Sequence, residues 1–269
     1  MSDLALAVPA PRASVLARVV PPLAALVILL GLWEALARGL AIPAFLLPPP
    51  SAIAAAARAD AALLVGAAAV TARAALLGFA LSVLTGVLAA VTLASSRPLE
   101  RALYPYTVFL QTVPIVAVAP LLVLWFGPGL RAVAVSALIV SVFPVIANTL
   151  AGLRSVDPAL RDLFRLYGAS RTATLLKLEI PAALPSIVTG LRVASGLAVI
   201  GTIVGEFVAG FSEDAAGLGI TVLAAYRQLK TDLLFAAVLS ASVLGLAIFG
   251  AVNLAGWWLL RRWHPSEKG

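Results

Sequence analysis

The chain has 269 residues, of which 62% are hydrophobic and 12% charged, and its mean hydropathy is +1.07. A soluble domain carries about 25% charged residues to cover its surface, so this composition excludes a soluble globular protein and predicts a membrane protein. The net charge of +7 is not gathered into a basic stripe, which argues against nucleic-acid binding, and the absence of cysteine excludes disulfides and thiolate metal sites.

Six long apolar blocks are separated by charged segments along the chain. Each block is about 20 residues or longer, which is the length that a helix needs to cross a bilayer. The blocks are continuous rather than alternating, so they predict helices and not barrel strands. The blocks cover residues 17–38, 74–95, 104–126, 131–151, 187–211 and 233–257. We therefore predict an all-α polytopic membrane protein with about six transmembrane helices in a domain over residues 17–262.

The distribution of basic residues predicts the orientation of the chain. Thirteen of the 19 Lys and Arg residues fall on the side that holds residues 1–16, residues 263–269 and the segment 152–192. By the positive-inside rule this side is the cytoplasm, so we predict cytoplasmic tails at both ends. Arg12 precedes the first block and Ala35-Leu36-Ala37 resembles a cleavage site, so a secretory signal is the alternative to an uncleaved first helix. The length of the block favours the helix.

The connection between the first two blocks, residues 39–73, contains the run Leu46-Leu47-Pro48-Pro49-Pro50-Ser51. Three consecutive prolines predict an extended backbone. Ser51 is a favourable N-cap for a short helix over Ala52–Arg58. The apolar stretch Ala61–Ala72 is too short to span a membrane, and it is either an interfacial segment or the lead-in to the second transmembrane helix.

The cytoplasmic connection over residues 152–186 begins with signals for a short amphipathic helix. Asp157 followed by Pro158 predicts an N-cap with proline at the first helical position. Gly168 fits the left-handed residue that ends such a helix. Apolar residues at i, i+3, i+4 and i+7 form one stripe, which we call the apolar stripe: Leu160, Leu163, Phe164 and Tyr167. The charged residues on the other side are Arg161, Asp162 and Arg165.

A second short helix is predicted directly after the first. Ser170 is a favourable N-cap for it, and we expect it to reach Lys177. Pro181 and Pro185 are then expected to break the chain before the fifth transmembrane helix, because proline removes a helical hydrogen bond.

Several motifs match one family of transport proteins in the same order along the chain. Gly168-Ala169-Ser170, followed by Ile180-Pro181 and Pro185, resembles the cytoplasmic signature loop of binding-protein-dependent ABC importer permeases. The usual Glu-Ala-Ala triplet of this family is here Asp162-Leu163-Phe164, which keeps the acid and replaces both alanines by bulky residues. The other matches are to the sulfonate, nitrate and taurine branch: Leu47-Pro48-Pro49-Pro50-Ser51, Gly78-Phe79, Pro120-Leu121, Trp125-Phe126-Gly127, Phe143-Pro144, Gly190-Leu191-Arg192, Gly205-Glu206 and Gly217-Leu218-Gly219.

The resemblance implies the permease subunit of a type I ABC importer, a multi-pass protein of the bacterial inner membrane. Such a subunit moves a small solute, here a sulfonate, nitrate, taurine or a similar molecule, which a periplasmic or lipid-anchored binding protein delivers. It also implies two copies of this chain and a dimer of separate ATPase subunits that bind ATP and Mg²⁺ and drive alternating access. The chain itself has no Gly-x-x-x-x-Gly-Lys-Ser/Thr loop, so we expect a non-enzymatic subunit without a cofactor of its own.

The amphipathic segment has two interpretations from its residues alone. The apolar stripe either folds back on the bundle or the headgroups, or it docks in a groove of a soluble partner. The resemblance favours the second, because the family couples to its ATPase through this helix. It implies these coupling residues: Leu160, Arg161, Asp162, Leu163, Phe164, Tyr167, Gly168 and Ala169.

Polar or helix-breaking residues inside transmembrane blocks are candidates for a solute pathway or a gate, because they are costly in lipid and usually face a bundle interior or a cavity. The candidates are Gln111, Pro114, Asn148 and Glu206. Each also has a structural interpretation. Glu206 would pair with Arg131 or a backbone donor, and the two amides would make interhelical hydrogen bonds.

Two other classes of function remain as alternatives. A stand-alone secondary transporter would need internal repeats and ion-coupling acids, and no convincing repeat relates the two halves of the chain. A membrane enzyme would need clustered His, Asp or Glu, whereas the single histidine, His264, lies in the polar tail and is expected to be solvated. We therefore predict no catalytic residue and no metal site.

Overall fold

The computed structural model describes residues 15–209 and 216–261, with side chains from Val19 onward. The predicted tails, and His264 with them, lie outside these ranges apart from the first residues of α1. Every regular element in the described ranges is helical. The helices are α1 (Val15–Gly39), α2 (Pro50–Ala59), α3 (Ala61–Ala94), α4 (Arg97–Thr112), α5 (Ile115–Phe126), α6 (Leu130–Arg154), α7 (Pro158–Leu166), α8 (Arg171–Thr174), α9 (Ile180–Ala209), α10 (Leu218–Arg227) and α11 (Thr231–Leu260).

Five spans are long and apolar enough to cross a membrane, and there are six if the bent pair of α4 and α5 counts as one. The predicted all-α polytopic fold is therefore confirmed. The block predicted over residues 104–126 is not one straight helix, because α4 and α5 meet at an angle of 99°. The cause is Pro114, which has no N–H for a helical bond. The residue before it, Val113, adopts the extended conformation that proline imposes (φ −68°, ψ 121°).

The core of the bundle is α6, which packs between α3 and α9. Glycines allow the helices to approach closely on both sides. A Cβ added at Gly78 of α3 would lie 2.6 Å from the carbonyl oxygen of Ala134, and one at Gly201 of α9 would lie 2.9 Å from the Cα of Ala137. Gly196 differs from its neighbour in α9, since no atom lies within 4 Å of an added Cβ. Gly196 therefore makes no close contact with another helix in the described structure.

The outer connection forms the predicted short helix, but Ser51 does not cap it. Helix α2 begins at Pro50, two residues before the predicted start at Ala52, and no side chain makes a capping bond to its own helix. Ser51 instead donates to Glu34 of α1, with its backbone N–H 3.0 Å from Oε2 and its hydroxyl 2.7 Å from Oε1. Arg38 completes the group, 2.5 Å from Glu34 and 2.9 Å from the Ser51 hydroxyl. This polar group joins α1 to α2.

Helix α3 is a single helix of 34 residues. The apolar stretch Ala61–Ala72 is therefore the lead-in to the second transmembrane helix and not a separate interfacial segment. At the other end, Glu100 of α4 pairs with Arg154 at the end of α6. The ends of α3 and α6, together with α7, lie on the side that the basic-residue count assigns to the cytoplasm. We call this the cytoplasmic face.

The segment after α7 is more continuous than predicted. Ser170 caps α8 as expected, since its hydroxyl accepts the N–H of Ala173 at 3.2 Å. However, α8 ends at Thr174, and a single π-helical turn, Leu175–Glu179, leads without interruption into α9. The predicted break at Pro181 and Pro185 is therefore wrong. Both prolines lie inside this continuous helix: the π-helical turn ends at Glu179, just before Pro181, and Pro185 lies within α9.

Candidate functional site

Helix α7 is delimited by the local signals that the sequence contains. The Asp157 carboxylate accepts the backbone N–H of Ala159 at 2.8 Å, and Pro158 is the first helical residue. Gly168 has a left-handed backbone, with φ at +69°. Both predicted ends of the helix are therefore confirmed, and the helix stands outside the membrane-spanning bundle.

The apolar stripe of α7 is not buried by the rest of this chain. Leu160 and Leu163 are each 46% exposed, Tyr167 is 84% exposed, and Phe164 is half-buried. No residue of α7 is fully buried. Leu166, which lies off the i, i+3, i+4 and i+7 pattern and was not predicted, is 85% exposed. The interpretation in which the stripe folds back on its own bundle therefore has no support, and the stripe is available to a partner.

The opposite side of α7 is attached to the bundle through Arg161. Its Nε lies 2.9 Å from Oε1 of Glu179, just before α9, and its Nη2 donates to the carbonyl oxygen of Leu153 in α6 at 2.5 Å. Both carboxylate and guanidinium are partly buried. Asp162 and Arg165 form an exposed pair at 3.3 Å. Arg161 thus positions α7 against two transmembrane helices, whereas the stripe remains partly to largely exposed.

The bend between α4 and α5 brings two of the four pathway candidates together. Gln111 and Pro114 are both exposed and lie on either side of the break. No residue of α4 is buried against this chain. The hydroxyl of Thr112 donates to the carbonyl oxygen of Phe109 at 2.8 Å and so satisfies one of the acceptors near the end of the helix. The bend is therefore a polar interruption on an exposed face of the subunit.

Asn148 is not placed beside that bend. Its amide donates to the carbonyl oxygen of Pro144, one turn earlier in α6, at 2.9 Å. A Cβ added at Gly190 of α9 would lie 2.8 Å from the Cβ of Asn148. The side chain therefore occupies the contact between α6 and α9. Its hydrogen bond lies within one helix and is not the interhelical bond of the structural interpretation.

Glu206 lies in the interior near the outer end of α9 and is only 3% exposed. Thr71 of α3 donates its hydroxyl to Oε1 at 2.7 Å, and the backbone N–H of Gly219 donates to Oε2 at 2.7 Å. The backbone N–H of Leu218 donates in turn to the Thr71 hydroxyl at 2.8 Å. The interpretation with a backbone donor is confirmed, and Arg131 is not among the partners of Glu206 in the described ranges.

Glycines at the start of α10 allow the backbone to reach this carboxylate. A Cβ added at Gly219 would lie 2.9 Å from Oε2 of Glu206, and one added at Gly217 would overlap the carboxyl group itself. Glu206 therefore joins α9 to α3 and α10 through hydrogen bonds that need two glycines beside it. In contrast to Gln111, it has no exposed surface from which it could contact a solute directly.

Arg192 is a partly buried residue of α9 that was not among the predicted site residues. Its Nε is buried with no hydrogen-bond partner among the described residues. The sequence did contain a signal for this residue, because an arginine inside an apolar block is rare. No group of three or more His, Asp or Glu residues in the described ranges could hold a metal ion.

The described chain is thus a multi-pass helical domain whose helix α7 presents an unburied apolar stripe. Residues 82–263 match the family described as binding-protein-dependent transport system inner membrane component. The chain belongs to this family, and it is the permease subunit of an ABC importer in the inner membrane. The relatives are permeases, and in this family ATP is hydrolysed by a separate subunit.

Three relatives illustrate the range of the family. The chain is 37% identical over 245 residues to a probable ABC transporter permease protein of Haemophilus influenzae, over 91% of this chain and 97% of the relative. It is 35% identical over 243 residues to the riboflavin transport system permease protein RibX of Chloroflexus aurantiacus, over 90% and 89%. It is 36% identical over 172 residues to SsuC of Escherichia coli, whose name assigns it to aliphatic sulfonate transport, over 64% and 63%. The predicted resemblance to the sulfonate and nitrate branch is confirmed.

Proposed function

We propose that this permease moves a small solute across the inner membrane by alternating access, that a binding protein delivers the solute, and that a separate ATPase drives the movement through α7. The observation that carries the proposal is the apolar stripe of α7, whose leucines remain about half exposed in this chain. A short amphipathic helix of this kind binds by placing its apolar face in a hydrophobic groove. The coupling residues predicted from the sequence lie on or beside this helix.

The contacts of Arg161 support a route by which movement of α7 reaches the membrane. Its ion pair with Glu179 and its hydrogen bond to Leu153 connect α7 to the start of α9 and to the end of α6. These two transmembrane helices also pack closely against each other through Gly201. If the ATPase displaced α7, the displacement would therefore reach α6 and α9 together, and these two helices would move as one unit.

The exposed face of α4 and α5 supports a pathway between two copies of the chain. Helix α4 starts beside Arg154 at the cytoplasmic face, and the segment after α5 reaches the outer end of α9, where the N–H of Gly129 donates to the carbonyl oxygen of Ala209 at 2.7 Å. The break at Pro114 lies between these ends. Non-helical backbone at membrane depth is tolerated only where protein or a water-filled cavity covers it. A second copy of the chain facing this bend would cover it with protein and would enclose a water-filled cavity between the two copies.

We expect a cysteine in place of Gln111 to crosslink two copies of the chain. Because the native sequence has no cysteine, Gln111→Cys would be the only reactive thiol in the protein. Treatment of inner-membrane vesicles with a short bifunctional maleimide should then give a species of twice the 27.6 kDa monomer mass on a denaturing gel. Val243→Cys is the matched control, since this residue is 65% exposed on α11, away from the bend. Crosslinking of the control alone would contradict the proposed arrangement.

The proposed cargo is a sulfonate, nitrate, taurine or a similar small molecule, and the similarity to SsuC supports it. A planar heterocycle is the second candidate. The similarity to RibX over most of both chains supports this candidate as well.

Uptake into proteoliposomes tests the function and separates the two cargo classes. The permease is reconstituted with the ATPase and the binding protein encoded beside it, and uptake of labelled taurine and of labelled riboflavin is measured. We expect ATP-dependent accumulation of one of them, at least tenfold above vesicles that lack either partner. Uptake that follows an ion gradient and is indifferent to ATP and to both partners would contradict the proposed function.

A further inference from the structure

A cavity of about 570 Å³ lies at the cytoplasmic face, behind α7. Its walls are the ends of α3 and α6, the start of α4, and the two short helices α7 and α8. Five arginines from four of these helices line it: Arg97, Arg154, Arg161, Arg165 and Arg171. The apolar stripe, by contrast, contributes no residue to the cavity. The cavity thus lies apart from the apolar stripe proposed to contact the ATPase, although two of the predicted coupling residues, Arg161 and Ala169, line it.

The arginines of this cavity are not fully neutralised by the carboxylates around them. Glu100 is shared, since it pairs with Arg154 and also lies 3.7 Å from Arg97. Glu179 and Asp162 each pair with one further arginine, Arg161 and Arg165 respectively. Three carboxylates therefore face five guanidinium groups in this described part of the chain, and Arg171 has no ion pair there. The imbalance favours an anionic ligand.

Arg154 gives a second reason to expect an anionic ligand, and this reason rests on hydrogen bonding. Its Nη2 reaches Glu100, but its Nε is buried and has no hydrogen-bond partner in the described structure. A buried donor without an acceptor is costly, and most such donors in proteins are satisfied. Guanidinium groups bind phosphate oxygens through pairs of N–H donors, so a phosphate group suits this set of side chains.

The remaining walls indicate which phosphate-bearing molecule fits. Val91 and Ala94 at the end of α3, and Leu175 after α8, give the cavity an apolar side. This side lies where α3 leaves the membrane, so acyl chains would continue from it into the bilayer. Basic pockets between transmembrane helices at the cytoplasmic side are a known way of binding lipid headgroups. A soluble phosphate would gain nothing from the apolar wall.

We propose that this cavity binds the phosphate headgroup of an anionic phospholipid from the cytoplasmic leaflet. The site is independent of the nature of the transported solute. Because two of its arginines, Arg161 and Arg165, belong to α7, a bound headgroup holds the rear side of that helix. The occupancy of the site therefore influences how firmly α7 is attached to the bundle when the ATPase pulls on its front side.

The binding experiment uses the full-length permease purified in mild detergent and native mass spectrometry with phosphatidylglycerol or phosphatidylcholine. The test variant is the double change Arg165→Gln and Arg171→Gln, which leaves the partly buried arginines untouched. Arg58→Gln is the control, because Arg58 is exposed in α2 and lines no part of this cavity. We expect the native chain to retain phosphatidylglycerol in preference to phosphatidylcholine. Loss of two basic contacts should weaken that binding at least tenfold, with no change in the control.

Three results would overturn the proposal. The first is equal retention of phosphatidylglycerol by the double variant and the native chain. The second is equal retention of the neutral and the anionic lipid by the native chain. The third is complete displacement of the lipid by millimolar inorganic phosphate, which would assign the site to a soluble ion. Thermal unfolding of the double variant is measured in parallel, so that a folding defect is recognised and Arg171→Gln alone is then used.

Discussion

Replacing Leu160 and Leu163 together by glutamate is expected to abolish association of the permease with its ATPase. Each leucine is 46% exposed in this chain, so burial of the exposed part of its side chain in a partner groove contributes about 1 kcal/mol. The two glutamates remove that contribution and would place charge in an apolar groove. Affinity should fall at least a hundredfold, as measured by the amount of ATPase that copurifies with the tagged permease. ATP-driven uptake should be lost with it.

The control for this change is Leu46→Glu, the same substitution at a 63% exposed leucine of the outer connection. Neither Leu46 nor α7 belongs to a membrane-spanning helix, so neither variant should disturb membrane insertion. Gly168→Val should give a milder defect, because a valine at φ +69° costs roughly 1–2 kcal/mol and shifts only the end of α7. Full ATPase association by the double glutamate variant would move the docking surface away from the apolar stripe.

Replacing Glu206 by alanine is expected to destabilise the fold by roughly 3–5 kcal/mol. The reason is that its carboxyl group, whether charged or neutral, accepts two buried hydrogen bonds. The change leaves the Thr71 hydroxyl and the Gly219 N–H without their acceptor. Thermal unfolding of the purified protein should show this as a much lower melting temperature. Glu206→Gln retains the size and one acceptor oxygen, so we expect a loss of about 1–2 kcal/mol.

This pair of variants also separates a structural role from a gating role. If Glu206 is only structural, Glu206→Gln should reduce melting temperature modestly and leave the transport rate per folded molecule unchanged. If it gates the pathway, the rate should fall in Glu206→Gln although the protein remains folded. An alanine variant as stable as the native chain would contradict the importance of the buried hydrogen bonds.

Local signals predicted the cytoplasmic helix well, because its ends depend on neighbouring residues. Asp157 caps α7 through an N–H two residues away, and Gly168 ends it through its own backbone angle. The contacts of the Arg161 side chain were not predictable from neighbouring residues. Its position in the helix places it among charged residues, but its acceptor, Glu179, is 18 residues further along the chain. The partner of Glu206, Thr71, is 135 residues away.

Prolines show a similar limit of local patterns. Pro114 and Pro144 both lie inside apolar blocks and remove one helical hydrogen bond each. Only Pro114 produces a break, with the 99° bend beside it. Pro144 is buried in α6, which α3 and α9 hold from two sides, so packing keeps that helix continuous. The difference lies in tertiary contacts, and it decides which proline marks the candidate pathway.

Helix α3 is longer than a bilayer is thick, so the chain has to be stabilised both in lipid and in water. Its 34 residues correspond to about 51 Å, whereas the hydrocarbon core of a bilayer is about 30 Å thick. A helix of this length exceeds the core even at a tilt of about 40°, so we expect its first turns to project beyond the membrane on the outer side. There Leu64 packs with Ile53 and Leu218 in a small apolar cluster. Water drives the burial of this cluster, whereas close packing and hydrogen bonds hold the helices below it together in lipid.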